Sequence, residues 1–273
     1  VKKTSTTLKE RAAMATSVSA QDPFKYTTIA HSGHHYCSPL SAGKAAGLLA
    51  APQLPVDALV LDAGCGKAAL LRDLLASQPV CGVGVDINPA FLAEAAKAWA
   101  ASNPGDGRLT LIASQLEQHP LPAGGYDAIL CVGSTHALGG FEPSLAICRQ
   151  WLKPGGVLLV GEGYWKRPPP HEYLIMLGAT EDELSSHAEN IARARAQGFK
   201  LRLAMASSAE EWDRYEHMYC QAVMQYAASH PHDPDTVAFG ERARRWYQNY
   251  LAFGRSTLGF GYYLLEKPRI SRT

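Results

Sequence analysis

Leu59-Val60-Leu61-Asp62-Ala63-Gly64-Cys65-Gly66-Lys67 is the stretch that decides how this chain is read. A short apolar run passes straight into Asp-x-Gly-x-Gly, and the residues that follow, Ala68 to Leu75, have the composition of a helix. Without Cβ atoms the two glycines let the backbone approach a ligand closely, so a strand ending there opens a nucleotide-sized crevice. A second apolar run, Val80 to Val85, ends in Asp86. An acid roughly 20 residues beyond a glycine turn is placed to accept hydrogen bonds from ribose hydroxyls. Each piece alone is a weak signal; the order in which they occur makes it strong.

A dinucleotide fingerprint, G-x-G-x-x-G, would carry its last glycine at position 69, where this chain has alanine, a substitution that some variants allow. The acid before the glycines and the lone G-x-G point elsewhere. The stretch resembles motif I of the class I S-adenosylmethionine-dependent methyltransferases, with Asp86 in the place of that family's ribose-binding acid. Tyr126-Asp127-Ala128-Ile129-Leu130-Cys131-Val132-Gly133 looks like the family's fourth strand, and Trp151-Leu152-Lys153-Pro154-Gly155-Gly156 looks like the turn into its fifth. The resemblance runs from about Val56 to Pro268. It implies a Rossmann-like α/β fold: a seven-stranded, mostly parallel sheet with an antiparallel last strand, helices on both faces and a helical insertion over the active site. It also implies S-adenosyl-L-methionine as cofactor, S-adenosyl-L-homocysteine as product and a small-molecule acceptor. The segments His31 to Leu40, Gly161 to Trp165 and Glu211 to Tyr215 look like a bacterial small-molecule subgroup whose members are mostly uncharacterised.

Alternating strand and helix patterns continue along the chain and predict a parallel sheet. Strands are expected at Ala58–Leu61, Val80–Val85, Leu109–Ala113, Ala128–Val132 and Val157–Val160, and helices at Ala68–Ala76, Pro89–Ala100 and Pro143–Leu152. Asn88-Pro89 supplies a cap and a first-turn proline for one of them. Beyond the block Pro168-Pro169-Pro170 a helix is predicted over Glu181–Gln197, acidic at its start and basic at its end. Leu201–Met205 reads as strand six, and Phe260 to Glu266 as strand seven. Between these two, Trp212, Tyr215, Tyr219, Val223 and Tyr226 recur at helical spacing within Glu210–Ala228, and a second helix runs to about Tyr250. The expected organisation is one methyltransferase domain over residues 23–273, with an N-terminal helical cap at about 23–55 and a helical insertion at about 207–256. Residues 1–22 read as a tail rich in Ser, Thr, Ala and Lys; a transit peptide is a second reading, against which the scarcity of arginine counts.

A chain of 273 residues, 47% hydrophobic and with net charge +1, can bury a full core and does not describe a disordered or nucleic-acid-coating protein. No apolar run reaches the ~20 residues needed to span a bilayer. The six cysteines, at 37, 65, 81, 131, 148 and 220, contain no C-x-x-C pair, so neither a zinc site nor a disulfide framework is indicated. Free thiols suit a reducing, cytoplasmic setting. Oligomeric state, monomer or dimer, is left open.

The resemblance assigns the cofactor site residue by residue. Gly64, Cys65 and Gly66 would run beside the methionine part and the adenosine. Asp62 would support this turn and reach the cofactor's ammonium directly or through water. Asp86 would accept the ribose hydroxyls, and Ile87 would pack on adenine. Where family members carry an Asp for the adenine amino group, this chain has Gln115, whose carbonyl oxygen is still an acceptor; Leu116 and Gly133 complete the set.

Methyl transfer from a sulfonium is an in-line displacement that gains most from positioning and dehydration. His136, just beyond strand four, is placed for a general base; the other reading is a loop histidine bonded to backbone. Glu162, Tyr164 and Trp165 follow strand five on the same edge. Tyr36 and His34 would fold over from the N-terminal side, and Trp212 would either cap a substrate pocket or bury the insertion. No metal site is evident. The Asn/Asp-Pro-Pro-aromatic tetrapeptide of DNA amino-methyltransferases is replaced by Gly133-Ser134-Thr135, which disfavours a nucleic-acid target. Three alternatives stay open: a binding protein for S-adenosylmethionine that transfers nothing, an NAD-dependent oxidoreductase, and a metalloid- or thiol-directed enzyme using Cys37 and Cys131.

Overall fold

A computed structural model describes residues 22–269. Two helices, α1 (Lys25–Ala30) and α2 (Ala42–Ala50), precede the sheet. Ser41 caps α2, its hydroxyl accepting the Lys44 N–H. The alternating core follows: β1 (Leu59–Ala63), α3 (Ala69–Ser77), β2 (Cys81–Asp86), α4 (Pro89–Ser102), β3 (Leu109–Ala113), β4 (Tyr126–Val132), α5 (Phe141–Trp151) and β5 (Leu152–Trp165). Then come α6 (His171–Leu177), α7 (His187–Ala196), β6 (Lys200–Ala206), α8 (Ala209–Ser229), α9 (Thr236–Asn249) and β7 (Leu258–Glu266).

The seven strands form one sheet in the order β3-β2-β1-β4-β5-β7-β6. Neighbours from β3 to β5 are parallel, and β7 runs antiparallel between β5 and β6. The fold expected from the sequence is therefore present. Strand order reverses between β1 and β4, and in such sheets the crevice beyond the carboxyl ends at the reversal is where ligands bind.

Side chains alternate across the strands and split the core in two. Val60, Leu130, Leu159 and Tyr262 meet Leu48, Leu71 and Leu74 from α2 and α3, together with Trp212 of α8. Leu61, Ile129, Leu158 and Tyr263 meet Leu145 and Cys148 of α5 and Ala194 of α7 on the opposite face.

Three elements depart from the sequence expectation. The helix predicted over Glu181–Gln197 is split: Glu181–Glu183 makes one 3₁₀ turn, and α7 starts afresh at His187 behind a capping box formed by Ser186 and Glu189. Helix α6, not anticipated, starts directly after the proline block, where Pro170 is its N-cap. Strand β5 is 14 residues long, reaching beyond β4 to pair Tyr164 and Trp165 with Gly259 and Leu258. The predicted tail lies, apart from Asp22, outside the described residues.

Among the described residues no helix is long and apolar enough to cross a membrane. All six cysteines are free thiols.

Candidate active site

The turn after β1 is built by alternating backbone conformations. Gly64, Gly66 and Ala68 have φ of +73°, +52° and +49°, values that L side chains adopt reluctantly. At Gly64 the conformation is not the only constraint, because a Cβ there would overlap the Ser134 side chain. Ser134 in turn donates to the Ala63 carbonyl at 2.5 Å, so the loop after β4 braces the end of β1. The Gly64 and Cys65 N–H groups both donate to the Val85 carbonyl, at 2.9 and 3.0 Å. The Gly66 N–H donates to Asp86 Oδ2 at 2.7 Å.

Asp62 and Asp86 face this turn from β1 and β2 and differ in how they are satisfied. Asp86 also takes the Asn88 N–H on Oδ1 at 2.8 Å. Burial raises its pKa, and the backbone donors of Asn88, Gly66 and Ile87 oppose that rise. Asp62 is only 5% exposed, and no described residue donates a hydrogen bond to it. Burial, with the neighbouring Asp86 charge, pushes its pKa up to about 8. A buried carboxyl without a donor is costly unless a partner arrives; Asp62 is fitted to receive a cationic N–H group.

Beside these acids Ile87 is 54% exposed, unusual for a large apolar side chain and suited to the face of a flat ring. Gln115 is exposed, its Oε1 held by Gln118 Nε2 at 3.4 Å, and Leu116 is buried beneath it. Gly133, with φ +73°, leaves β4 exposed on the same edge.

Three further groups gather beyond β4. Thr135 donates its hydroxyl to Glu162 Oε2, and Glu162 Oε1 accepts the Gly163 N–H at 2.9 Å. Burial raises the Glu162 pKa against these two hydrogen bonds. His136, half-buried, sits where its charge would be felt by both Asp86 and Glu162. The base candidate is thus near enough to the acid that ends β2 and to the acid of β5 for its charge to act on both.

Other candidates are engaged elsewhere. The Tyr164 ring lies across Gly259 and meets His187 edge-on, at 5.1 Å between centroids. Trp165, 7% exposed, donates from Nε1 to the Glu181 carbonyl at 2.9 Å and packs on Tyr173. Trp212, 4% exposed, packs among Tyr215, Tyr250 and Phe260. Both tryptophans belong to the core instead of forming an open pocket wall. His34 is buried, with Nε2 at 2.9 Å from the Tyr215 carbonyl and Nδ1 at 3.3 Å from His31 Nδ1. Tyr36 donates to Asp73 Oδ2 of α3 at 2.5 Å. Neither points a free polar group at the acids.

Sequence reasoning missed the bracing role of Ser134 and the place of Lys67 beside the turn, and it raised Cys37 only for a metalloid- or thiol-directed enzyme. Lys67 is 4% exposed and pairs with Glu94 of α4 at 3.0 Å. Cys37 places its sulfur 3.6 Å from the position of a Cβ on Gly66, and burial pushes its pKa up to about 11. That thiol and the Cys65 thiol, whose pKa is also raised by burial, are kept protonated at neutral pH. Neither of these two is a ready thiolate for soft-ligand chemistry. Among the described residues no group of three His, Cys, Asp or Glu side chains has the geometry to hold a metal ion.

Comparison with known proteins agrees with this arrangement. Residues 60–156 match the methyltransferase domain family Methyltransf_25. The chain is 26% identical over 247 residues to the uncharacterised protein YjhP of Escherichia coli K12, covering 87% of this chain and 96% of YjhP. It is similar to an S-adenosylmethionine-dependent methyltransferase of Geobacter sulfurreducens, solved with S-adenosyl-L-homocysteine, at 26% identity and TM-score 0.83 over 90% of this chain and 98% of that one. A second such enzyme, from Thiobacillus denitrificans and solved with the same nucleotide, is 25% identical with TM-score 0.80, over 88% and 96% of the two chains. Its strand order, its glycine turn between two acids and its matched domain make the chain similar to the S-adenosylmethionine-dependent methyltransferases, with a methyltransferase domain over residues 60–156.

Proposed function

We propose that this enzyme transfers a methyl group from S-adenosylmethionine to a small-molecule acceptor by in-line displacement. The observation that carries the reading is Asp62: a buried carboxyl, without a donor of its own, at the mouth of the glycine turn. The ammonium group of the methionine part supplies the missing donor there. Asp86, whose oxygens take the Gly66 and Asn88 N–H groups, keeps further lone pairs for the ribose hydroxyls. Ile87 covers adenine, Gln115 and Leu116 flank it, and Gly133 leaves room above β4.

When bound, the cofactor supplies an electrophilic methyl on a sulfonium; the protein positions the acceptor and excludes water. His136 takes the proton that a neutral oxygen or nitrogen acceptor loses as its new bond to carbon forms. Glu162, fixed by Thr135, faces the charge that His136 gains. A small acceptor is favoured over nucleic acid by net charge +1 and by Gly133-Ser134-Thr135 in place of the DNA-enzyme tetrapeptide. Helices α8 and α9 are inserted between β6 and β7.

Calorimetry with S-adenosylmethionine, S-adenosylhomocysteine and NAD side by side tests the cofactor reading. Binding of the two sulfur nucleotides without NAD supports it, and an acceptor screen by homocysteine-nucleoside release then follows. Binding of NAD alone would overturn it.

A further inference from the structure

A cavity of about 620 Å³ lies between α2 and α3. Sites for small organic ligands typically enclose roughly 300–1,000 Å³. The two helices share a buried cluster that includes Leu48, Leu71 and Leu74. Beside that contact α2 presents Ala42, Ala46 and Ala50, four residues apart on one face, where longer side chains would fill the groove. The row is about 12 Å long at helical rise. Leu49 and Leu54 add to the apolar lining.

The polar groups of the cavity divide into spent and unspent. Ser77 Oγ donates to the Leu74 carbonyl at 3.1 Å. Gln78 Nε2 donates to the Leu49 and Pro52 carbonyls at 2.8 and 3.1 Å, while its Oε1 accepts the Leu54 N–H at 3.1 Å. On Asp73, Oδ2 accepts the Tyr36 hydroxyl at 2.5 Å, and His35 Nε2 lies 3.4 Å from the same oxygen. Asp73 Oδ1 and the side-chain amide of the exposed Gln53 have no hydrogen-bond partner among the described residues. Tyr36 precedes α2 and Gln53 follows it, so these two unspent groups mark opposite ends of the groove.

Asp73 is the one charged residue of the lining. Lys44, the basic residue of α2, is paired with Glu211 of α8. The Arg72 charge acts on Tyr36, but Arg72 does not line the cavity. An anion would be repelled here, and a neutral chain would gain only from burying its apolar surface. Tyr36, 8% exposed, also separates the cavity from the glycine turn, since the next residue, Cys37, places its sulfur 3.6 Å from the position of a Cβ on Gly66.

We propose that this cavity is a second ligand site, distinct from the cofactor crevice, and that it takes a small organic cation. An ammonium group pairs with Asp73 Oδ1, an apolar chain lies along Ala46, Leu49 and Ala50, and a polar group at the far end bonds to Gln53. The occupant is not the methyl acceptor, because Tyr36 and Cys37 stand between the two sites. Asp73 is 38% exposed, so its ion pair forms at the mouth of the groove and contributes selectivity more than affinity.

Amide NMR of the isotope-labelled full chain tests this with three six-carbon probes: ω-aminohexanol, hexanediol and ω-hydroxyhexanoate. The amine should shift the amides of residues 42–54 and 73–78 saturably, with Kd on the order of 1 mM for so small a ligand. The diol should bind about fivefold more weakly, and the carboxylate more weakly still. Asp73→Asn keeps an acceptor for Tyr36; it should bring the amine to the level of the diol and leave the diol within about twofold. Ala46→Leu lies on an exposed helix face and fills the groove, so it should weaken amine and diol at least about tenfold. Saturating S-adenosylhomocysteine should leave the amine's Kd within about twofold, as for uncoupled sites. Equal affinity for the three probes, a preference for the amine that survives Asp73→Asn, or shifts confined to residues 62–66 and 133–136 would overturn the proposal. Displacement of the amine by S-adenosylhomocysteine would overturn it as well, by placing the amine in the crevice.

Discussion

Asp86 accepts the Gly66 N–H at 2.7 Å, so the acid that ends β2 also holds in shape the glycine turn that ends β1. Its other oxygen steadies Asn88, the N-cap of α4. One carboxylate thus organises both walls of the nucleotide crevice. Asp86→Ala is expected to weaken S-adenosylmethionine binding by about 1.5–3 kcal/mol, the range for hydrogen bonds to charged groups. Because the turn loses a support too, the thermal midpoint of the free protein falls as well. Calorimetry and a melt on the same variant check both, and unchanged affinity would remove the ribose assignment.

Asp62 predicts a pH dependence. Its folded-state pKa, about 8, lies above the ordinary carboxyl value. An acid shifted upward favours the folded state most at low pH, and that contribution is lost as pH rises through the folded value. The free protein should therefore lose stability from about pH 4 toward about pH 8 on account of this group. A bound ammonium reverses the preference by stabilising the carboxylate. The melting-point gain from S-adenosylhomocysteine should grow between about pH 6 and about pH 8, with a proton released on binding in the lower part of that window. Thermal melts with and without nucleotide, and calorimetry in buffers of different ionisation enthalpy, measure the two effects. Asp62→Asn should flatten the dependence; a slope that survives that substitution belongs to another group.

The parts of the site that the sequence displays are those made by near neighbours. Apolar runs, closely spaced glycines and a terminal acid are local signals, and β1, β2 and the glycine turn that joins β1 to its helix form where the sequence predicts them. Side chains whose partners are distant in sequence were not legible. Tyr36 finds Asp73 across 37 positions, and His34 finds the Tyr215 carbonyl across 181. Both residue types are common in active sites, and here their polar atoms meet α3 and α8. Trp165 and Trp212 illustrate the same limit: which face of an aromatic stripe is covered depends on α6 and β7, and the segment of α6 carries no recognisable periodicity. The Glu181–Gln197 expectation failed for a local reason, because Ser186 and Glu189 form a capping box that starts a new helix in mid-segment.

Glu211 is predicted to hold the α2 side of the fold to α8. Its carboxylate closes the capping box of α8 on the Ser208 N–H and also receives Lys44 and the Ser41 N–H. Glu211→Ala removes all of these and should cost about 1–3 kcal/mol in urea unfolding. Glu211→Gln preserves an acceptor for the capping box but not the charge facing Lys44 and should cost less. Equal losses in the two variants would mean that the cap contributes little and the ion pair carries the effect.

His136 separates catalysis from binding. Its charge acts on Asp86 and Glu162, while the glycine turn is built from the Gly64, Cys65 and Gly66 amides with Asp86 and Ser134. A base acting on the acceptor contributes only while the new bond forms, so its removal should leave cofactor affinity within about twofold. With an oxygen or nitrogen acceptor identified by the release screen, His136→Ala should lower kcat by about 10²–10⁴-fold. His136→Gln, which keeps a hydrogen-bonding side chain but cannot take a proton, should fall as far. An acceptor that is already anionic offers a control within the same enzyme, since it has no proton to lose and its turnover should be spared. Equal loss with both kinds of acceptor would assign His136 to holding the loop after β4 instead of to proton transfer.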